Sequence, residues 1–265
     1  MQASETSTGK TVVVTGAAAG IGRATAVLFH QRGWTVGAFD VDVDGLARLA
    51  SELGDRVSTA RVDVGDRKSL DDAVASFAAS SGRVDVFVNN AGVLTHGAFS
   101  EMDPRRCDLM LAVNVAGVVN GARAALPWLR KSGGALVSMS SAAAVYGTPE
   151  LAIYAATKAF VSSLTESLDL EERRRPPGDR ARVVDVLPGY VDTDMVRVQQ
   201  KASALVQKLG VRLGPDDVAA AIWSAANDDG GVHRILNAEI RLQRALVGLS
   251  PRLGALLVKL VEMKR

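Results

Sequence analysis

The chain has 265 residues, 48% hydrophobic and 23% charged, a balance that suits a soluble globular protein with a sizeable core. Its 31 basic residues are nearly matched by 29 acidic ones, for a formal net charge of +2, which argues against nucleic acid as a partner. The one cysteine, Cys107, excludes an internal disulfide and fits a reducing compartment; with only three histidines beside it, a structural zinc site is not expected. The start, MQASETSTGK, is polar, and no stretch approaches the roughly 18 uninterrupted apolar residues of a membrane span, so the expected location is the cytoplasm.

Taken in order, short β-branched runs alternate with longer helical patterns. Strands are predicted at 11–15, 35–40, 56–64, 84–89, 135–140 and 181–187. Between them, segments 21–32, 66–80, 103–131 and 153–175 place Ala, Leu and Arg at helical spacing. Near-continuous apolar strands separated by helices predict an α/β fold with one doubly wound, Rossmann-type parallel sheet and helices on both faces. RRRPPGDR, at 173–180, reads as the turn closing a long helix, not a basic patch. No repeat or linker divides the chain, so residues 1–265 are expected to form a single domain.

The first strand runs into the first helix through TGAAAGIG, with Gly16, Gly20 and Gly22 at the turn. Glycines there permit a tight turn and let a phosphate approach backbone N–H groups at a helix start. A plain glycine-rich turn is the alternative. The second strand ends at Asp40, 18 residues after Gly22, where a carboxylate can accept from both ribose hydroxyls of an adenosine and repel a 2′-phosphate. Neither Ala19 nor Val41 offers a cation for that phosphate, so NAD is the expected cofactor. Farther on, YAATK places Tyr154 and Lys158 on one helical face, a turn apart.

With these motifs the chain resembles the classical short-chain dehydrogenase/reductase family over roughly residues 10–226. TGAAAGIG is followed in order by Asp63-Val64, NNAG at 89–92, Asn114 in AVNVAG, Ser141 in SMSS, YAATK and PGYVDT at 188–193. The resemblance implies a nucleotide site formed by Gly16, Ala19, Gly20, Ile21, Gly22 and Asp40. To these it adds Asp63 and Val64 at the adenine, Asn90, Ala91 and Gly92 near the ribose, and Pro188, Gly189, Val191 and Thr193 at the nicotinamide. A purely structural role for NNAG is compatible with this.

It further implies a catalytic set of Asn114, Ser141, Tyr154 and Lys158. Tyr154 is the general acid/base. Lys158 lowers the phenol's pKa and holds the nicotinamide ribose. Ser141, 13 residues before Tyr154, holds the substrate oxygen. Asn114 either holds a water beside Lys158 or merely bends its helix. Ser138 and Ser140 are expected to be bystanders, Ser140 because alternation along the strand turns it away from Ser141.

The chain departs from the family in its end, where residues 235–265 form a C-terminal amphipathic helical extension read as two helices broken at Pro251. Three uses are open: covering the core or a subunit interface, walling the substrate pocket, or contacting a membrane surface. The segment 192–213, with Met195, Val196, Val198, Leu205, Val206 and Leu209, is expected over the active site. Together with Val145 and Tyr146, its apolar content favours a hydrophobic substrate. The expected activity is NAD-dependent interconversion of an apolar secondary alcohol (steroid-like, retinoid-like or aliphatic) and its ketone. The alternatives are a non-catalytic dinucleotide-sensing regulator and an NADP-dependent carbonyl reductase. By the same resemblance, helices 103–131 and 153–175 are expected to pair the chain into a homodimer or homotetramer.

Overall fold

The computed structural model describes residues 9–193 and 213–249. Seven parallel strands form one sheet in the order β3-β2-β1-β4-β5-β6-β7. They are β1 (Thr11–Thr15), β2 (Thr35–Asp40), β3 (Val57–Arg61), β4 (Val86–Asn89), β5 (Ala135–Met139), β6 (Arg182–Leu187) and β7 (His233–Ile235). The helices are α1 (Gly20–Gln31), α2 (Val43–Leu53), α3 (Arg67–Ser81), α4 (Pro104–Leu111), α5 (Gly117–Ser132), α6 (Ala152–Arg173), α7 (Pro215–Asn227) and α8 (Ala238–Leu249).

Alternation along β1 explains the two cores. Val12 and Val14 point to one face, where they join Phe29 of α1, Leu49 of α2 and Ile222 of α7. Val13 points to the other, against Phe77 of α3, Leu129 of α5 and Phe87 of β4. A side chain of this size, fully buried, contributes about 1.5–3 kcal/mol, so both helical layers are needed to hold a sheet whose inner strands expose nothing. Strand order reverses between β1 and β4, and the crevice at their carboxyl ends is where such sheets take ligands.

Several boundaries moved. The strand predicted at 56–64 stops at Arg61, so Asp63 and Val64 lie in the turn after β3, where the Asp63 carboxylate accepts from the Gly65 N–H at 2.9 Å. The helix predicted at 103–131 is α4 and α5 joined by a π-helical turn, Ala112–Ala116, that carries Asn114. Pro104–Ser132 is the one described stretch long and apolar enough to cross a bilayer; half of its most apolar 18-residue window is buried within the fold, and its inner face packs against α3 and the sheet. Of the two helices predicted at the end, the first is α8; the second, like most of 192–213, lies outside the described residues.

Candidate active site

The glycine turn is shaped by what it excludes. Gly16 has φ of +67°, a left-handed conformation that disfavours any side chain, and a Cβ there would sit 2.9 Å from the Ala91 Cα. A Cβ on Gly22 would come within 2.0 Å of the Gly16 carbonyl oxygen. Asn90 holds this turn from below: its side-chain amide donates to the carbonyls of Thr15 at 2.8 Å and Gly16 at 3.2 Å. The Thr15 hydroxyl oxygen accepts from the N–H groups of Asn90 and Ala91. NNAG thus braces the glycine turn, the structural role that its sequence left open. A tight glycine turn with no room for either Cβ, at the start of α1 and in the switch-point crevice, leaves backbone N–H groups that fit a dinucleotide pyrophosphate. Ala19 is the extended N-cap residue of α1 with Ile21 in its first turn, and Gly20 faces the methyl of Thr193.

Asp40 ends β2, where the adenosine ribose is expected. One carboxylate oxygen accepts from the Ala18 N–H at 2.9 Å and the other from the Asp42 N–H at 3.0 Å. Each retains a lone pair for a ribose hydroxyl. Arg23 is engaged by Glu52 of α2, and Arg61 is the register partner of Asp40 on β3. Val64 is buried against Gly117, and its carbonyl accepts from Asn120.

Three elements carry the predicted catalytic set: the π turn, the end of β5 and α6. Asn114, fully buried, accepts from the Val93 N–H at 2.8 Å through Oδ1. Its Nδ2 donates to the Val93 carbonyl at 2.8 Å and to the Thr157 hydroxyl at 3.1 Å. It therefore pins the loop after β4 to the π turn and to α6, a local unwinding often found at functional sites. Lys158 is buried on α6; its Nζ donates to the Met139 carbonyl at 2.8 Å and lies 5.7 Å from the Tyr154 ring centre. Ser141 follows β5; its oxygen accepts from the Ala143 N–H at 3.2 Å, and its hydroxyl lies close enough to the Tyr154 phenol to favour the phenolate.

Charge placement corrects one expectation. The chain by itself does not lower the Tyr154 pKa: burial raises it, and the Ser141 hydrogen bond only partly offsets that. Burial also lowers Lys158 to about 8, so near neutrality the amine is poised to lose its proton. Any further push toward the phenolate must come from charge brought by a ligand.

The loop after β6 carries the residues expected at the nicotinamide. Pro188 accepts from the Ala142 N–H at 2.9 Å, and the Gly189 N–H donates to the Asn237 side chain at 3.1 Å. Val191 bridges to Leu213, and the Thr193 N–H donates to the Val191 carbonyl. Tyr190 was missed from the sequence. Burial, with the nearby Tyr146 and Tyr154 phenols, pushes it up to about 12. All three tyrosines of the chain thus influence one another's charge. A tyrosine inside PGYVDT was the available signal. Ser140, expected to be a bystander, does point away from Ser141, but into a buried polar network. Among the described residues no group of three or more His, Cys, Asp or Glu is placed to hold a metal ion.

Comparison with known proteins agrees with this geometry. The short chain dehydrogenase family model matches residues 10–204. The chain is 35% identical over 229 residues to 3-oxoacyl-[acyl-carrier-protein] reductase FabG of Thermotoga maritima, covering 83% of this chain and 92% of that protein. It is 33% identical over 250 residues to 11-beta-hydroxysteroid dehydrogenase 1A of Arabidopsis thaliana, covering 91% and 68%. A short-chain dehydrogenase/reductase from Burkholderia phymatum, solved in complex with NAD, superposes with a TM-score of 0.82 at 28% identity over 94% of this chain and 96% of that one. The fold, the ordered motifs and these matches together place the chain in the short-chain dehydrogenase/reductase family of oxidoreductases.

Proposed function

We propose that the protein is an NAD-dependent dehydrogenase or reductase that interconverts an apolar secondary alcohol and its ketone within a single domain. The observation that carries this reading is the convergence of Ser141, Tyr154 and Lys158, with Asn114 pinning the loop beside them. The nucleotide cradle and Asp40 would hold the dinucleotide, whose nicotinamide when bound accepts or supplies the hydride.

The chain's own residues handle the proton. Tyr154 takes the alcohol proton in oxidation and returns it to the oxygen in reduction. Ser141, its oxygen already accepting from Ala143, turns its hydroxyl proton toward the substrate oxygen and steadies developing charge. Lys158, anchored on Met139, presents the rest of its amine to the nucleotide ribose and to the phenol.

Support for NAD over NADP is the carboxylate of Asp40, which would repel a 2′-phosphate, together with the engagement of Arg23 by Glu52. An apolar substrate is favoured by Val145, Tyr146 and Tyr190 beside Ser141 and Tyr154. The names of the two relatives refer to an oxoacyl chain and a steroid, both oxygenated apolar skeletons. The test is NADH formation from NAD across steroidal, retinoid-like, aliphatic and sugar alcohols. Tyr154→Phe is expected to lower kcat by roughly 10²–10⁴ with NADH still bound. Tight NADH binding with no turnover on any alcohol would instead indicate a dinucleotide sensor.

A second copy of the chain is the proposed partner. Leu109 and Leu111 on α4 and Phe160 and Leu170 on α6 are exposed between 37% and 59%, more apolar surface than two solvated helices need. Size exclusion should give a mass of two or four chains; a mass of one would remove this proposal.

A further inference from the structure

A row of polar side chains crosses the sheet on its α5–α6 face. Asn89, Ser138, Asp185 and His233 are register partners on β4, β5, β6 and β7. Asp185 is fully buried inside an otherwise apolar strand, where an uncompensated carboxylate costs several kcal/mol. Its compensation is specific. Ser162 of α6 donates to one carboxylate oxygen at 2.6 Å, and His233 Nδ1 reaches the other at 2.7 Å. On its far side His233 Nε2 meets Glu166 of α6 at 2.6 Å, and Arg244 of α8 donates to the same Glu166 oxygen at 2.8 Å.

Inward, the network ends on the catalytic elements. Ser162 lies 2.9 Å from the hydroxyl of Ser140, which also reaches the Lys158 backbone carbonyl at 3.0 Å. Each serine has one proton to give. With Asp185 ionised, the Ser162 proton is committed to it, so Ser162 accepts from Ser140, which shares its own proton between Ser162 and Lys158. Ser140 is the neighbour of Ser141. Outward, the network ends on α8, and Asn237, just before that helix, accepts from the Gly189 N–H of the nicotinamide segment.

We propose that His233, held between Asp185 and Glu166, is a positioning residue: in its protonated form it locks α8 and β7 to the Ser141–Lys158 shelf and keeps that shelf in its competent geometry. The positioning role rests on the reaction proposed above; the lock itself does not. An imidazolium is what two facing carboxylates require, because only then do both ring nitrogens donate. The four charges of Asp185, His233, Glu166 and Arg244 then sum to zero. A neutral ring satisfies one carboxylate and abandons the other. Burial by itself would lower the His233 pKa, but Asp185 and then Glu166 outweigh it against the opposing charge of Arg244, and the net direction is upward. A raised folded pKa means that the contribution is fully present below the unfolded value near 6.5, and is lost as pH rises through the folded one.

The experiment compares the wild type, His233→Gln and Glu166→Gln between pH 6 and 9.5. It follows kcat, KM, the NADH dissociation constant and urea unfolding. His233→Gln is expected to lower kcat about tenfold at pH 6.5 while KM and NADH affinity stay within twofold, and to lose an alkaline fall in kcat that the wild type shows. Glu166→Gln, at a half-exposed position, keeps the fold; without that carboxylate the alkaline fall should move to lower pH. A folded His233→Gln protein with the wild-type kcat and pH profile overturns the proposal, as does a Glu166→Gln profile that does not move.

If no substrate is turned over, the proposed function fails by itself, and unfolding judges the lock. Ser140→Ala and His233→Gln should then be non-additive at pH 6.5 and additive at pH 9.5. Additivity at both values overturns the lock.

Discussion

The two halves of the sheet build their parts of the site by opposite means. On the β1–β3 side the surface is backbone, shaped by side chains that are missing: Gly16 and Gly22 have no room for a Cβ, and the Ala18 N–H meets Asp40 directly. On the β4–β7 side it is made of side chains, and what matters is where protons and charges sit. Asn114, Ser141, Tyr154 and Lys158 arrive from three segments, and behind them lies a buried carboxylate–imidazole pair. The first half should therefore fail sterically and at any pH. The second should fail electrostatically, in particular pH windows.

The largest effect expected on the first half is from Gly22→Ala. The new Cβ would meet the Gly16 carbonyl at 2.0 Å and the Asn90 amide at 2.5 Å, so both the turn and its brace have to move. Forced overpacking costs about 1–3 kcal/mol, and NADH affinity should fall by roughly tenfold to a hundredfold with no dependence on pH. Fluorescence titration of NADH reads this directly; unchanged affinity would break the steric account.

On the second half, Lys158 supplies the corresponding test. Its folded pKa of about 8 lies below the ordinary lysine value of 10.5, so between those values the unfolded chain binds the extra proton and stability should rise with pH. The difference corresponds to about 3 kcal/mol at most. Tyr154 and Tyr190, both raised, act the other way above pH 10, because there the folded chain holds protons that the unfolded one has lost. Urea unfolding of Lys158→Met against wild type between pH 8 and 10 isolates the lysine: the variant's curve should lack the rise. Equal slopes in the two proteins would mean that the amine is not held in a desolvated site.

The same contrast explains what the sequence showed. Glycine spacing, Asp40, YAATK and the alternation of strand and helix are local signals, and they located β1, β2, the glycine turn and the residues proposed as catalytic. Each rests on residues whose chemistry allows few other uses. The π turn at Asn114 was not legible, because a helix with one extra residue per turn has the same composition as one without. Nor was the polar row from Asn89 to His233, which exists only through the register of four strands. Its one local trace was an aspartate in the apolar run RVVDVL. A charge in a strand predicted to be buried on both faces needs partners, and that demand pointed beyond the motifs. Tyr190 failed to stand out because its phenol matters only through Tyr146 and Tyr154, which are distant in sequence.

The finest test sits where the two means meet, at Asp40, a charged side chain in the half otherwise made of backbone. Asp40→Asn keeps the shape and removes the charge, though an amide oxygen can satisfy only one of the two N–H groups, of Ala18 and Asp42, that the carboxylate now serves. If the charge is the discriminator, NADH should weaken modestly and NADPH should gain, shifting their affinity ratio by about tenfold, or about 1.4 kcal/mol. Raising salt should narrow the wild-type ratio and leave the variant's nearly unchanged, since only the carboxylate–phosphate repulsion is screened. A ratio unmoved by the substitution would assign the choice of nucleotide to the shape of the turn alone, and the first half would then be steric throughout.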